Sequence, residues 1–540
     1  MEMKLMYLNK WQVAASALLL LPTLSVAEPK TQLSGDALSL MDAVQITIEN
    51  SPKILLQTLA VEGARAGEQI QAGAFDWTTY ATIGGGQERS PRFEKPHQKL
   101  DTPGARLDHN LFRTTAGISK LFRNGMVSNF SVNMIKNDPY LTDLDPAENR
   151  PHARTINTTA VKFTLKIPFL KGAGSVSAQA NEKAAQLNRQ AAEHTFEHFV
   201  TDTLLSTVQA YWDYKAAQVN LKVQTDSKER VTKIINRVEE VVAKQSSPES
   251  YTPDLQRLYA YLADKKRNLS AAEELLNNNR NALATSLGIP ASQAKDIGFA
   301  EEKFSDNWIE VAARFDNAFM QSHLSTLALK NRLDLKAAEL QHEASSVKLA
   351  KARKDLLPSV DLDLTAASHG LEFGSDTDAY FSSLHERTEG MDATAYLSFR
   401  YPLGNNRAKG GLLVAKTAHQ RSLISLNELK RKIKIQLNTS VGTLERALGQ
   451  VEDAKESVDL YQKSFLGFRG SITDDLKTDV VFQIMDTESK LIDAQADYVS
   501  ALFRLANTIA SLRFQTGTLI NTTGNLQQVL LQDVTTLPEL

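Results

Sequence analysis

The sequence predicts an α+β membrane protein, internally duplicated, whose strands form part of an oligomeric transmembrane β-barrel. Three observations carry that prediction. Long stretches lack proline and glycine and carry apolar residues at helical spacing. Short stretches alternate apolar and polar residues with a period of two. The succession of both kinds occurs twice along the 540-residue chain.

The N-terminus has Lys4 and Lys10, then the apolar run Val13–Leu24, then the small residues Ser25-Val26-Ala27. This is the pattern of a secretory signal peptide over residues 1–27, with cleavage expected before Glu28. The run of about 12 residues is too short for a transmembrane helix, which needs about 20. After Ala27 no window approaches 18 consecutive apolar residues, so a membrane role falls to strands. There is no cysteine, which excludes disulfides, thiolate metal sites and a lipid-modified N-terminal cysteine. A net charge of −2 leaves no basic excess for nucleic-acid binding.

The duplication sets the domain plan. A first helix over 28–76 leads to strands within 77–170, and a long helical hairpin fills 171–290. A linker and second helix over 291–357, strands within 358–403 and a second hairpin over 404–516 repeat the plan before a tail over 517–540. Asn50 to Trp77 corresponds to Asn331 to Pro358, an offset of 281 residues. Pro168 corresponds to Pro402, an offset of 234, so the first copy carries 47 extra residues among its strands.

In the first hairpin, Gly174 to about Ala243 reads as one helix of roughly 70 residues, about 105 Å at 1.5 Å per residue. Its apolar stripe includes Leu204, Val208, Val231 and Ile235. A break at 245–253 precedes a second helix over Asp254–Leu287, closed by Gly288 and Pro290.

Strands are expected at Trp77–Ile83, Phe112–Phe122, Val127–Ile135 and Val161–Phe169, then at Val360–Thr365 and Thr394–Tyr401. Arg123-Asn124-Gly125 carries the Asn-Gly hairpin signal, which makes the extra residues one inserted hairpin with its loop. Gly84-Gly85-Gly86 lacks a following helix and lysine and is expected to be a loop rather than a phosphate cradle. Ser368–Gly390 is expected to be a long surface loop. Four to six strands fall short of the eight in the smallest membrane barrels, so the chain is expected to share its barrel with copies of itself.

Several stretches together resemble the TolC-like outer-membrane efflux family. Leu38–Lys53, ending in an Asn-x-Pro corner, resembles the family's opening, and Leu356–Leu364 its entry into a later barrel strand. Phe482–Val499 with Gly517-Thr518-Leu519 resembles its last long helix, and Pro168-Phe-Leu-Lys-Gly-Ala-Gly174 resembles a subgroup's strand end. The resemblance spans Leu38 to Leu519. It implies a homotrimer in the bacterial outer membrane whose barrel is continuous with a long α-helical periplasmic tunnel. It further implies a passive exit channel for small molecules or proteins, working with an inner-membrane transporter and a periplasmic adaptor, with no enzymatic activity and no cofactor. Family members usually contribute four strands to a twelve-stranded barrel, from which the inserted hairpin departs. The tip over Glu239–Asp254 also lacks the family's Gly-hydrophobic turn, so adaptor type does not carry over.

The resemblance also supplies the candidate site. Asp474, Asp475 and Asp479 follow Gly467-Phe468-Arg469-Gly470 where the chain turns between its last two helices. In the family, aspartates just beyond this turn ring the pore entrance, and Phe468 and Arg469 resemble the aromatic and arginine that hold it shut. As plain chemistry, the three carboxylates also suit a helix N-terminus. His194-Thr-Phe-Glu-His198 fits the H-x-x-E-H zinc-protease pattern but lies inside the long helix and reads as helix surface. The competing function is a periplasmic adaptor, which would show one hairpin beside a small β domain. A soluble coiled-coil scaffold would require sustained heptads, which are missing.

Overall fold

The computed structural model describes residues 37–91, 106–142, 154–244, 252–302, 317–386, 390–470, 478–519 and 536–538. The expected signal peptide therefore lies outside the described residues. The chain divides into two compact units, one of residues 56–198 with 332–434 and the other of 1–55, 199–331 and 435–540.

The first unit holds an antiparallel sheet of six strands: β2 (Thr78–Pro91), β3 (Arg106–Leu121), β4 (Val127–Thr142), β5 (Ile156–Pro168), β7 (Ser359–Phe373) and β8 (Asp392–Arg400). Their spatial order is the sequence order, β2-β3-β4-β5-β7-β8. The inserted hairpin is β3–β4, hydrogen-bonded between β2 and β5. Its turn is closed at Gly125, whose φ of 91° is the left-handed conformation that glycine tolerates. A Cβ there would lie 2.2 Å from the Gly172 carbonyl oxygen, so the turn sits directly against the chain leaving β5.

Directly opposed residues in these ladders share a face. One face carries Ile118, Phe130, Phe163, Leu165, Leu362 and Leu397. The opposite face carries Asn129, Asn133, Lys162, Lys166, Asp361 and Asp363, where Lys166 pairs with Asp361 at 2.9 Å. On that polar face Tyr80 lies over Gly117 and donates to Asn129 Oδ1 at 3.1 Å, tying three strands together.

Two expectations are corrected here. Gly84–Gly86 is not a loop: β2 continues through it, pairing with Leu111–Arg113. Glycine has low strand propensity, but the unbroken β3 template supplies every ladder hydrogen bond. Ser368–Gly390 is likewise not all loop, because β7 runs on to Phe373 and Thr377–Ser382 is a short helix. That helix folds back on the apolar face of the sheet, with Tyr380 edge-on to Phe112 at 5.6 Å and Ser383 Oγ 2.6 Å from Thr159 Oγ1. Gly370 permits the approach, since a Cβ there would meet the Ser383 carbonyl oxygen at 1.9 Å.

Helices pack in the same unit as the sheet. α2 (Pro52–Ala72), the start of α4 (Ala180–Val242), α7 (Leu333–Lys354) and the start of α9 (Asn406–Gly470) supply them; α3 is the short turn Ser175–Ala178, and α6 (Asn317–Asn331) belongs to the other unit. Arg189 of α4 bonds Glu68 of α2 at 2.5 Å and its own Glu193 at 2.7 Å, and Arg123 of the β3–β4 turn bonds Glu182 at 2.6 Å. The expected single helix from Gly174 is thus divided at Gln179.

The second unit contains the remainder of α4, with α5 (Thr252–Leu287), the later part of α9 and α10 (Thr478–Thr516). α5 starts two residues before the expected Asp254, because Pro253 is accommodated in a first turn where its missing N–H is no loss. In the same unit α1 (Leu40–Asn50) starts from a Ser39 capping box, and β1 (Ala37–Leu38) pairs in parallel with β6 (Phe299–Ala300). This two-stranded ladder joins the beginnings of the two copies, and Tyr211 anchors it by donating to the Leu38 carbonyl at 3.0 Å. Among the described residues no helix is long and apolar enough to cross a membrane.

The two glycine environments in β2 and β3 make a paired prediction. Gly117→Ala places a methyl group 2.6 Å from the Tyr80 ring and 2.7 Å from the Phe130 carbonyl, whereas Gly84→Ala meets open space. Overpacking of this kind costs about 1–3 kcal/mol. Thermal unfolding followed by strand circular dichroism is expected to show a lowered midpoint for Gly117→Ala and an unchanged or slightly raised one for Gly84→Ala.

Candidate functional site

The described ends of α4, α5, α9 and α10 meet in one apolar cluster, built on Val231, Ile235, Val238, Leu258, Phe465 and Ile484. Apolar side chains recur every three or four residues on each helix, and their stripes face one another. Phe468 packs against this cluster, half-buried. Asp479 stands exposed in the first turn of α10, the position at which a carboxylate complements the helix dipole. Asp474 and Asp475 lie outside the described residues, as does the Arg469 side chain. Of the five candidate residues, then, the structure places two side chains at the same group of helix ends.

A buried ionic centre that sequence reading did not single out lies beside the cluster. Glu488 of α10 is fully buried, and its carboxylate meets Lys265 Nζ of α5 at 3.2 Å, itself 5% exposed. Ser227 of α4 donates to Glu488 Oε1 at 2.7 Å and Arg230 reaches the same oxygen at 3.3 Å. Tyr261 donates to Oε2 at 2.7 Å, and the Lys265 ammonium also lies 4.6 Å from its ring centre. Burial first, and then the neighbouring Glu488 charge, push the Tyr261 phenol far above its ordinary pKa, so it stays a donor. Three helices are held in one relative register through a carboxylate that has no water to fall back on.

A signal for this centre was present in the sequence. Val481, Ile484, Glu488 and Leu491 follow helical spacing on one stripe, so Glu488 occupies a core position of an otherwise apolar face. Only its partners were hidden, being 223 to 261 residues distant in sequence.

The H-x-x-E-H residues sit on α4 in the sheet-bearing unit. His194 Nδ1 contacts its own Glu197 at 3.2 Å, and His198 Nε2 lies 4.0 Å from Asp334. Burial, the largest single influence, raises the Asp334 pKa, but the hydrogen bond and charge of Arg332, the His198 charge and the Leu335 N–H together outweigh it and leave the carboxyl below its usual range. Each histidine thus faces a carboxylate as a helix side chain would. Among the described residues no group of three or more His, Cys, Asp or Glu is arranged to hold a metal ion.

An amphipathic antiparallel sheet combined with two pairs of very long helices is the α+β fold of the TolC-like outer-membrane channels. No family model matches the sequence. The chain is 24% identical over 339 residues to the pyoverdine export outer membrane protein OpmQ of Pseudomonas putida; the match takes in 62% of this chain and spans 64% of that relative's length. Its structure is similar to that of the outer-membrane channel OprN, with a TM-score of 0.59 and 13% identity, covering 88% of this chain and 89% of that one. It is similar to the outer membrane protein VceC of Vibrio cholerae as well, with a TM-score of 0.59 and 15% identity over 88% of this chain and 96% of that one. The single hairpin of an adaptor is not what the described residues contain.

The ionic centre predicts a non-additive pair of substitutions. Glu488→Leu leaves Lys265 charged, buried and without its carboxylate, which costs about 3–5 kcal/mol, while replacing both charges by apolar groups is often close to neutral. Lys265→Met together with Glu488→Leu is expected to recover part of the melting temperature that Glu488→Leu loses, read from the helical circular dichroism signal, the remainder reflecting Ser227, Arg230 and Tyr261, which still lack their acceptor. A loss in the double variant equal to the sum of the losses in Glu488→Leu and Lys265→Met alone would show that the charges act independently.

Proposed function

We propose that this chain assembles as a homotrimer into a passive exit channel of the bacterial outer membrane, its helical part lying in the periplasm. A periplasmic adaptor joins it to an inner-membrane transporter, which delivers the cargo. The observation that carries the reading is the sheet with one apolar and one polar face, fitting lipid outside and an aqueous lumen inside. The fold and the sequence match to a pyoverdine export protein support the same reading and make small exported molecules the favoured cargo class. The domain boundaries expected from the duplication belong to this proposal, with the strands over 77–170 and 358–403 as membrane wall and the long hairpins as tunnel.

The helix ends around Phe468 and Asp479 form the periplasmic entrance in this reading, with Arg469, Asp474 and Asp475 completing it. Three copies of Asp474, Asp475 and Asp479 then face one axis. Unit charges some 6 Å apart in a partly desolvated site interact by about 3 kcal/mol at an effective dielectric near 20, enough to favour cations.

Membrane fractionation followed by native mass measurement in mild detergent tests the assembly, with a trimer in the outer-membrane fraction as the expected result. A folded, membrane-embedded monomer would contradict it. In planar-bilayer recordings the channel is expected to prefer cations and to be blocked by multivalent cations from the periplasmic side. Replacing Asp474, Asp475 and Asp479 together by asparagine is expected to weaken both effects while assembly survives. Unchanged selectivity would place the gate elsewhere.

A further inference from the structure

The inserted hairpin is part of the wall, and it separates β2 from β5 by two strands. Its two long ladders run without interruption, from Thr78↔Ser119 to Pro91↔Arg106 on one side and from Val127↔Lys166 to Asn137↔Ile156 on the other. Its faces continue those of its neighbours. Ile118 lies opposite Phe130, which lies opposite Phe163 on the apolar face, while Ser119, Asn129 and Thr164 follow one another on the polar face. A flap standing above the membrane would have no reason to keep that division in step. The hairpin's turn is also fastened where the strands give way to helices. Gly174 N–H donates to the Asn124 carbonyl at 2.9 Å, and Gln179 donates to the Arg123 carbonyl at 3.1 Å.

Among the described residues the sheet therefore ends at β2 and β8, and both edges are unfinished. Ile83 on β2 is 73% exposed, and on β8 Leu397 and Phe399 are 69% and 71% exposed. In lipid each unpaired backbone group of such an edge costs several kcal/mol, so both must be paired. With six antiparallel strands in sequence order, β2 and β8 run in opposite directions. Rotating a second copy about an axis along the barrel brings its β2 beside the first copy's β8 as an antiparallel neighbour, with the apolar faces of both copies on the same side. An odd number of strands would have produced a parallel seam. A head-to-tail ring of this kind closes without leaving an edge.

We propose that copies of this chain join β8 to β2 with the inserted hairpin inside the wall, so that three copies close an eighteen-stranded barrel. The proposal rests on the trimeric membrane reading above, and it makes the barrel half as wide again as one with four strands per chain. With strands about 4.8 Å apart and tilted by about 40°, eighteen strands give a backbone diameter of about 36 Å, against about 24 Å for twelve. At the sheet, then, this duct would pass a broader solute than a twelve-stranded wall permits.

The chain has no cysteine, so disulfide trapping reads the seam directly. Thr82→Cys on β2 is combined in turn with Asp392→Cys, Thr394→Cys, Tyr396→Cys, Ser398→Cys and Arg400→Cys, the whole polar face of β8, in the full-length protein in its membrane. Facing antiparallel residues lie within disulfide reach, so a register scan at steps of two residues must meet a productive pair. After mild oxidation and boiling in detergent, at least one combination is expected to give a covalent ladder that ends at three chains. Thr82→Cys with Thr164→Cys on β5 is expected to give no disulfide, because β3 and β4 stand between them. A β2–β5 disulfide in the assembled protein would overturn the proposal by showing the hairpin outside the wall. A membrane trimer in which no β2–β8 combination cross-links would overturn it while leaving the channel reading intact; a ladder ending at another number would keep the seam and overturn the eighteen-strand count. If no oligomer is found in the outer membrane, both fall together.

Discussion

Backbone hydrogen bonding in a solvent that offers no partners is the constraint on which the proposed architecture depends. No described helix is apolar enough to satisfy that constraint by itself, so the membrane wall of the reading above must be made of strands. Strands satisfy it only when every edge meets another edge. The antiparallel order, the two unpaired edges and the split between apolar and polar faces all follow from that requirement. Tyr80 over Gly117 and Lys166 with Asp361 then tie strands together on the polar face.

The helical regions answer to a different balance. Side chains on α4, α5, α9 and α10 interlock through an apolar cluster, but interdigitating hydrophobic stripes alone allow a helix to slide by a turn against its neighbours. The centre around Glu488 removes that freedom: Lys265, Ser227 and Tyr261 meet one carboxylate, and a one-turn slip would strand all of them. Buried charges of this kind add little net stability compared with apolar packing. Their contribution here is a single register among three helices.

Legibility in the sequence followed the strength of local periodicity. The long helices, the Asn124-Gly125 turn and the alternation at Val161–Phe169 were readable because each repeats a pattern set by its own residues. The reading failed at Gly84–Gly86 and beyond Ser368, where the strands continue through residues of poor strand propensity. There the neighbouring strand, not the local sequence, holds the backbone extended, and such support is invisible in a linear pattern. Glu488 was missed for a related reason, since its stripe position was visible but its partners lie on other helices.

By itself the sequence determined the duplication, the inserted hairpin and which side of each strand is apolar, because these are properties of spacing along one chain. The tertiary structure decided where that hairpin goes. Forty-seven extra residues could equally have formed a flap beyond the sheet; only the ladders to β2 and β5 put them inside it. The physical reason is that strand pairing is non-local: the residues specify a hairpin with two distinct faces, and the hydrogen bonds it makes with distant segments specify its neighbours.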